Sequence, residues 1–287
     1  MKISVLTPSY NSGIYIDRAI KSVLNQDYKN FEHIVVDGGS TDNTLNILSS
    51  YKHLNWVSEK DKGQSDAMNK AFNFARGEII VYLNADDYFL PGSFTKVIQE
   101  FNANLNTEII VGNLVNEYDI ENKHDSHISI PSVKFRQLIL PFKYSYPYNP
   151  VSYFYKRNVQ KQIGEFPLEN HFVMDYWFIL RAFKRYNVKK INYELGVFYH
   201  SGFNKTALNK TFSINKFAFN EARNFGIIWQ IYFICFYIPE LPKKIFMLCL
   251  NNIKYVLYLI LLSKHVEYKD YLILGFKNSF RYSRNNE

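Results

Sequence analysis

Over its first hundred residues the chain switches repeatedly between strand-like and helix-like spacing of apolar side chains, with short connections between. Ile3 to Leu6, apolar but for Ser4, reads as a buried strand. Ile16, Ala19, Ile20, Val23 and Leu24 then fall at i, i+3, i+4, i+7 and i+8, opposite Asp17, Arg18 and Lys21, as an amphipathic helix requires. Phe31 to Val36 reads as the next strand and ends in Asp37-Gly38-Gly39-Ser40-Thr41-Asp42, turn-forming residues that also cap a helix through Leu45 and Leu48. Leu54 to Val57 is a third strand. Met68, Ala71, Phe72 and Ala75 form a helical stripe that Gly77 stops, Glu78 to Leu83 is a fourth strand, and Phe94, Val97, Ile98 and Phe101 mark another helix. Such alternation predicts an α/β fold, with a mainly parallel central sheet flanked by helices. Ligands of these sheets bind outside the carboxyl ends of the strands, so Thr7-Pro8-Ser9, Asp37-Gly38-Gly39 and Asn84 to Asp87 are expected to converge.

Beyond residue 101 the alternation loosens. Ile109 to Val115, Val151 to Tyr155 and Leu195 to Tyr199 are strand-like, and Tyr176, Ile179, Leu180 and Phe183 share a helix face. Residues 119–150, with Pro131, Pro141, Pro147 and Pro150, read as a long loop of the kind that forms lids or acceptor-binding segments. Asn224 to Pro239 is a run of sixteen uncharged residues, short of the ~20 that span a bilayer. Glu240, Lys243 and Lys244 interrupt it, and Asn251, Asn252 and Lys254 break the next run, Ile245 to Leu262. Residues 206–287 are therefore expected to be a C-terminal helical segment, rich in aromatic and basic residues, that lies in a membrane interface or packs on the sheet. The expected organisation is a catalytic domain over 1–205, with halves 1–100 and 101–205, followed by that segment.

Charge follows the same division. Residues 1–100 hold 10 basic and 12 acidic side chains, the rest 24 and 14, within a net charge of +8. An anionic partner for the second part follows, a membrane surface or a phosphorylated acceptor. No basic recognition helix accompanies the charge, which argues against nucleic acid. Two cysteines, Cys235 and Cys249, exclude a disulfide framework or a zinc cluster, so a bound metal would need oxygen ligands. Met1-Lys2 leads into an apolar run shorter than a signal peptide. The expected location is cytoplasmic, peripheral on the inner face of the cell membrane.

Several acidic residues sit where chemistry could use them. Asp86 and Asp87 end a strand, where carboxylates can hold a divalent cation against a diphosphate or simply face water in a turn. Asp37 can accept from a ribose hydroxyl or a base amide while Gly38 lets a ligand approach the backbone, or the pair can serve a tight turn. Ser65 or Asp66 can cap a helix. Asp175 heads an aromatic helix, a position the macrodipole favours for a carboxylate and one from which a general base can act. His200, after an apolar strand, could be a metal or phosphate ligand, but reads first as a loop histidine without that role.

Taken together, Val5-Leu6-Thr7-Pro8-Ser9-Tyr10-Asn11, Val35-Val36-Asp37-Gly38-Gly39-Ser40-Thr41-Asp42, Asp61-Lys62-Gly63-Gln64-Ser65-Asp66-Ala67-Met68-Asn69-Lys70 and Leu83-Asn84-Ala85-Asp86-Asp87 resemble, in order and spacing, the family 2 glycosyltransferases. The resemblance covers residues 1 to about 200. It implies the glycosyltransferase A fold, a nucleotide-diphosphate sugar donor with UDP-sugar first, and inverting transfer to a glycan or lipid-linked acceptor, as in bacterial surface-polysaccharide synthesis. Pro8, Tyr10, Asp37 and Asp66 then correspond to nucleoside contacts, with Gly38, Lys62 and Gly63 beside them. Asp86 corresponds to the ligand of a divalent cation, Mg or Mn, and Asp87 to a donor-sugar contact or to a support behind the metal ligand. Asn84 stands where the family pattern has its first aspartate, and Asp175 matches the general base. A non-catalytic nucleotide-sugar-binding protein is the rival reading, suggested by Asn84. A dinucleotide oxidoreductase is disfavoured by the absence of Gly-x-Gly-x-x-Gly after the first strand.

Overall fold

The computed structural model of the chain describes residues 1–200 other than 121–122, 142–143 and 170–172, together with Ala218, residues 224–226 and Trp229. The expectations for residues 206–287, including Cys235 and Cys249, lie almost wholly outside the described residues.

The alternating half folds as its periodicity predicts. Strands β1 (Ile3–Ser9), β2 (Phe31–Asp37), β3 (Leu54–Ser58) and β4 (Ile79–Tyr82) alternate with helices α1 (Ile16–Leu24), α2 (Thr44–Ser50) and α3 (Gln64–Phe74). They pair in parallel in the order β3-β2-β1-β4. All seven residues of β1 are buried, as a strand covered on both faces requires. In α1, Ile16, Ala19, Ile20 and Val23 are buried, whereas Leu24, the fifth position of the stripe, is 38% exposed at the helix end. Pro8 falls just beyond Leu6↔Tyr82, the last pair between β1 and β4. From there β1 has a strand on one side only, where a residue without an N–H is tolerated.

The second half supplies β5 (Tyr88–Phe89), α4 (Ser93–Ala103), β6 (Ile109–Ile120), β7 (Lys123–Ser129), α5 (Phe135–Leu138), β8 (Tyr153–Lys156), α6 (Arg157–Ile163), α7 (Met174–Arg185) and β9 (Val188–His200). The sheet continues β4-β8-β6-β9-β5, with β7 on β6. Here β6 and β9 are parallel, while β4–β8, β8–β6, β9–β5 and β6–β7 are antiparallel. The parallel character therefore belongs to the first half and the second is mixed, within the α/β architecture expected. One core joins the two halves: Ile3, Val5, Ile79 and Val81 pack with Phe94, Phe101, Ile110, Phe154 and Leu195.

Residues 119–150 are not a continuous loop. β6 runs to Ile120 and pairs with β7 as a hairpin, Leu114↔Ser129 to Ile120↔Lys123, and α5 follows. The apolar signal was missing because, among the described residues, β7 has no strand partner but β6, and residues 124–128 are exposed. An edge strand wetted on both faces needs no alternation.

Candidate functional site

The loops after β1 and β2 are laced to each other. Asn11 N–H donates to Ser40 Oγ at 2.7 Å, Thr41 N–H to Asn11 Oδ1 at 2.9 Å, and Gly13 N–H to Asp42 Oδ2 at 2.9 Å. Asn11 adopts φ 47°, a left-handed conformation that asparagine tolerates. Asp37 is fully buried and anchors this region. Its carboxylate accepts from Gly39 N–H (3.1 Å), Ser40 N–H (2.8 Å), Ser40 Oγ (2.5 Å) and Ser58 Oγ (2.7 Å). Asp37 thus shapes the Gly38–Ser40 backbone. Tyr10, at the end of β1, is 63% exposed.

Asp61 lies over Gly38. A Cβ on Gly38 would stand 2.6 Å from Asp61 Oδ2, so the close approach requires glycine. Asp61 Oδ1 accepts from Gly63 N–H at 2.8 Å, and Gly63 takes φ 107° as the chain turns into α3. Asp66 accepts from Lys62 N–H at 3.0 Å and pairs with Lys70 at 3.4 Å, and these contacts hold its carboxyl below the usual range. Neither Ser65 nor Asp66 is the N-cap, which is Gly63.

From this segment two contacts reach the rest of the site. Gln64 Nε2 donates to Asn84 Oδ1 at 3.0 Å, and Ser65 Oγ donates to Met174 Sδ, next to Asp175, at 3.0 Å. The start of α3 therefore touches both the turn after β4 and the first turn of α7.

In the turn after β4, Asp87 is fully buried and saturated. Its Oδ2 accepts from Asn84 Nδ2 (2.9 Å) and Asn149 Nδ2 (2.8 Å), and Oδ1 accepts from Tyr199 N–H (3.1 Å). Burial and the neighbouring Asp86 charge raise its carboxyl well above the usual range, against those donors. Asp87 braces the turn against β9 and the Asn149 segment. Asp86 is half-buried beside it. Among the described residues no group of three His, Cys, Asp or Glu forms a metal cage. With Asp87 and the Asn84 oxygen both engaged, the turn fits a cation that keeps its waters and is held by one carboxylate and a substrate diphosphate.

Asp175, in the first turn of α7, is the opposite case. Its Oδ1 is sealed from solvent without a hydrogen-bond partner among the described residues, and burial raises the carboxyl to about 7. Its charge is felt by the buried hydroxyls of Tyr82, Tyr146, Tyr153 and Tyr155, raising each of them further above burial alone. A carboxyl tuned to neutrality suits a general base. His200, at the end of β9 rather than in a loop, bonds Asn116 Oδ1 through Nε2 at 3.1 Å and stacks on Tyr118 at 4.1 Å.

Sequence reasoning did not single out Gln64, Asn149, Tyr199 or Arg18. Gln64 lay within a quoted motif; Asn149 and Tyr199 act through contacts of 62 and 112 residues' separation, which no local pattern records.

The profile of glycosyl transferase family 2 matches residues 4–212. A putative teichuronic acid biosynthesis glycosyltransferase of Bacillus subtilis, TuaG, is 36% identical over 103 residues, 34% of this chain and 40% of that protein. The chain spans less than half the length of the curated relatives it first matches. Among solved structures, S. aureus TarS 1–349 in complex with UDP-GlcNAc superposes with a TM-score of 0.62 at 19% identity, covering 78% of this chain and 67% of that one. Mannosyltransferase PcManGT from Pyrobaculum calidifontis, in complex with GDP-Man and Mn2+, gives 0.59 at 16%, covering 97% and 80%. At these identities the two structures bear on the fold alone.

Proposed function

The chain belongs to glycosyl transferase family 2, and on that premise we propose that it moves a sugar, with inversion, from a nucleotide-diphosphate donor to a hydroxyl of a glycan or lipid-linked acceptor in cell-surface polysaccharide synthesis. The observation that carries this reading is Asp175, a carboxyl raised by burial to about 7 on a helix whose first turn meets the Asp61–Lys70 segment. Asp175 takes the proton of the acceptor hydroxyl as that oxygen attacks the anomeric carbon, and the bond from that carbon to the diphosphate oxygen breaks on the opposite side. One displacement inverts the centre.

UDP-sugar is the donor proposed first, in keeping with the UDP-GlcNAc complex of TarS. The nucleoside is assigned to Pro8, Tyr10, Asp37, Gly38, Lys62, Gly63 and Asp66. Asp37 acts there by holding the loop backbone, and Asn84 and Asp87 shape the donor-sugar side. A divalent cation, Mg or Mn, would be held by Asp86 and would neutralise charge on the departing diphosphate; PcManGT with Mn2+ offers the parallel.

Residues 206–287 are proposed to hold the enzyme peripherally on the cytoplasmic face of the membrane, from their aromatic and basic composition. No helix among the described residues is long and apolar enough to cross a membrane. Full-length protein that failed to float with anionic liposomes would remove this part alone. Transfer itself is tested by nucleotide release from UDP-, GDP- and dTDP-sugars with a panel of glycan acceptors, in Mn2+, Mg2+ or EDTA. Release from one donor class, lost in Asp175→Asn, supports the reading; acceptor-independent binding without release from any donor sinks it.

A further inference from the structure

Arg18 takes no part in the scheme above, yet it stands against the turn that carries Asp86. The helical pattern of α1 places it on the polar side, which for a solvated arginine would be the end of the matter. Instead Arg18 Nη2 donates to the Asp86 carbonyl oxygen at 2.9 Å. Its guanidinium lies between two aromatic rings, 4.6 Å from the centroid of Tyr88 and 4.0 Å from that of Tyr199. Both rings are pinned at their far ends by carboxylates of β6: Tyr88 Oη donates to Glu117, and Tyr199 Oη to Asp119 at 2.9 Å. The N–H of Tyr199 meanwhile donates to Asp87. The contacts close on themselves, from Arg18 to carbonyl 86, along the chain to the Asp87 carboxyl, across to the Tyr199 backbone, and through its ring to Arg18.

From this circuit we infer that Arg18 is a positioning residue that presets the orientation of Asp86 toward the cation. The inference rests on the proposed role of Asp86. The Asn84 side chain is held by Gln64, carbonyl 86 by Arg18 and Asp87 by three donors. Of these restraints only Arg18 comes from α1, and it binds the backbone of Asp86 itself. A flat guanidinium fills the slot between two rings and still presents a donor, which a lysine ammonium does not do. Partners of this kind, one step removed from a metal, are worth ~10- to 100-fold in its affinity.

The test follows Mn2+ by the electron paramagnetic resonance of the free ion, titrated in the presence of UDP and of GDP, for wild type, Arg18→Met and Arg18→Lys. Arg18→Met is expected to weaken Mn2+ binding by ~10-fold or more, to leave nucleotide affinity in EDTA unchanged, and to raise the metal concentration for half-maximal turnover while kcat at saturating Mn2+ stays near wild type. Arg18→Lys should fall between the two. Wild-type Mn2+ affinity in Arg18→Met overturns the inference, and so does a parallel loss of metal-free nucleotide binding, which would make Arg18 a donor contact. Absence of nucleotide-dependent Mn2+ binding in the wild type defeats the Asp86 role itself, a failure visible without any variant. Should Arg18→Met not fold, Tyr199→Leu, which opens one side of the slot and keeps Arg18, must weaken Mn2+ in the same way or the inference fails.

Discussion

Asp37 and Asp175, one in each half of the molecule, are carboxylates that the fold treats in opposite ways. Asp37, buried at the end of β2, collects four donors, three from its own turn and one from Ser58 of β3. Asp175, at the head of α7, has an oxygen closed off from water with no donor among the described residues. A saturated buried carboxylate is a strut, because each N–H or O–H it holds would otherwise be left unpaired. An unsatisfied one destabilises the fold in its charged form, and it survives where its proton affinity is useful. The first half thus ties its acid into the surrounding backbone, and the second keeps one acid with an oxygen that has no donor among the described residues.

The largest effect expected from breaking this contrast is on transfer. Asp175→Asn should lower the rate by ~10³-fold, within the range of lost general-base catalysis, while nucleotide affinity measured by calorimetry stays within a few-fold. Unimpaired transfer in that variant would remove Asp175 from the mechanism. In the wild type kcat/KM should climb as the pH rises through about 7 and then level, because only the ionised carboxylate accepts a proton. A flat profile from pH 5 to 9 would mean that burial does not govern this group.

The same substitution should stabilise the fold. Asp175 has an ordinary value of 3.8 and a folded value of about 7. Between those pH values the folded chain keeps a proton that the unfolded chain has released, so stability falls as the pH rises through that window. Above about 7 the cost is complete, roughly 2–4 kcal/mol. Denaturant unfolding of Asp175→Asn should therefore show the largest gain at pH 8 and a shrinking one toward pH 4; equal gains at both would sever stability from ionisation.

Asp37→Ala should act in the other direction, costing ~2–3 kcal/mol by stranding its donors, with a lower thermal midpoint at every pH. Near-neutral stability would mean that water replaces the carboxylate and that Asp37 is no strut. Smaller again is Asn149→Ala, which removes one of three donors to Asp87 and one end cap of a short 3₁₀ turn, Pro150–Ser152. About 1 kcal/mol is expected, and a change above twice that would show that Asp87 depends on Asn149 more than on Asn84 and Tyr199.

The first half of the fold was legible because burial on both faces leaves a strong local record. β4 is a continuous apolar run, β1 begins with one broken only by Ser4, and the stripe of α1 repeats at helical spacing. The β6–β7 hairpin was not legible, because a solvated edge imposes no pattern. Within the site, Asp37-Gly38-Gly39, Asp61 to Lys70, Asn84 to Asp87 and Asp175 could be picked out as polar groups at strand ends and a helix start. Their roles could not be ranked, since two acids that look alike in sequence differ only in who donates to them.

By itself the amino-acid sequence determined the strand–helix alternation, the parallel direction of β1 to β4 that follows from it, and the candidate carboxylates at the strand ends. Those properties are local, set by side-chain spacing along a few turns or pleats. Tertiary structure alone decided that Asp37 and Asp87 are saturated while Asp175 is not, and that the Arg18 guanidinium packs against Tyr88 and Tyr199. Desolvation and donor count depend on every element packed around a group, including those more than a hundred residues away, as Tyr199 is from Asp87.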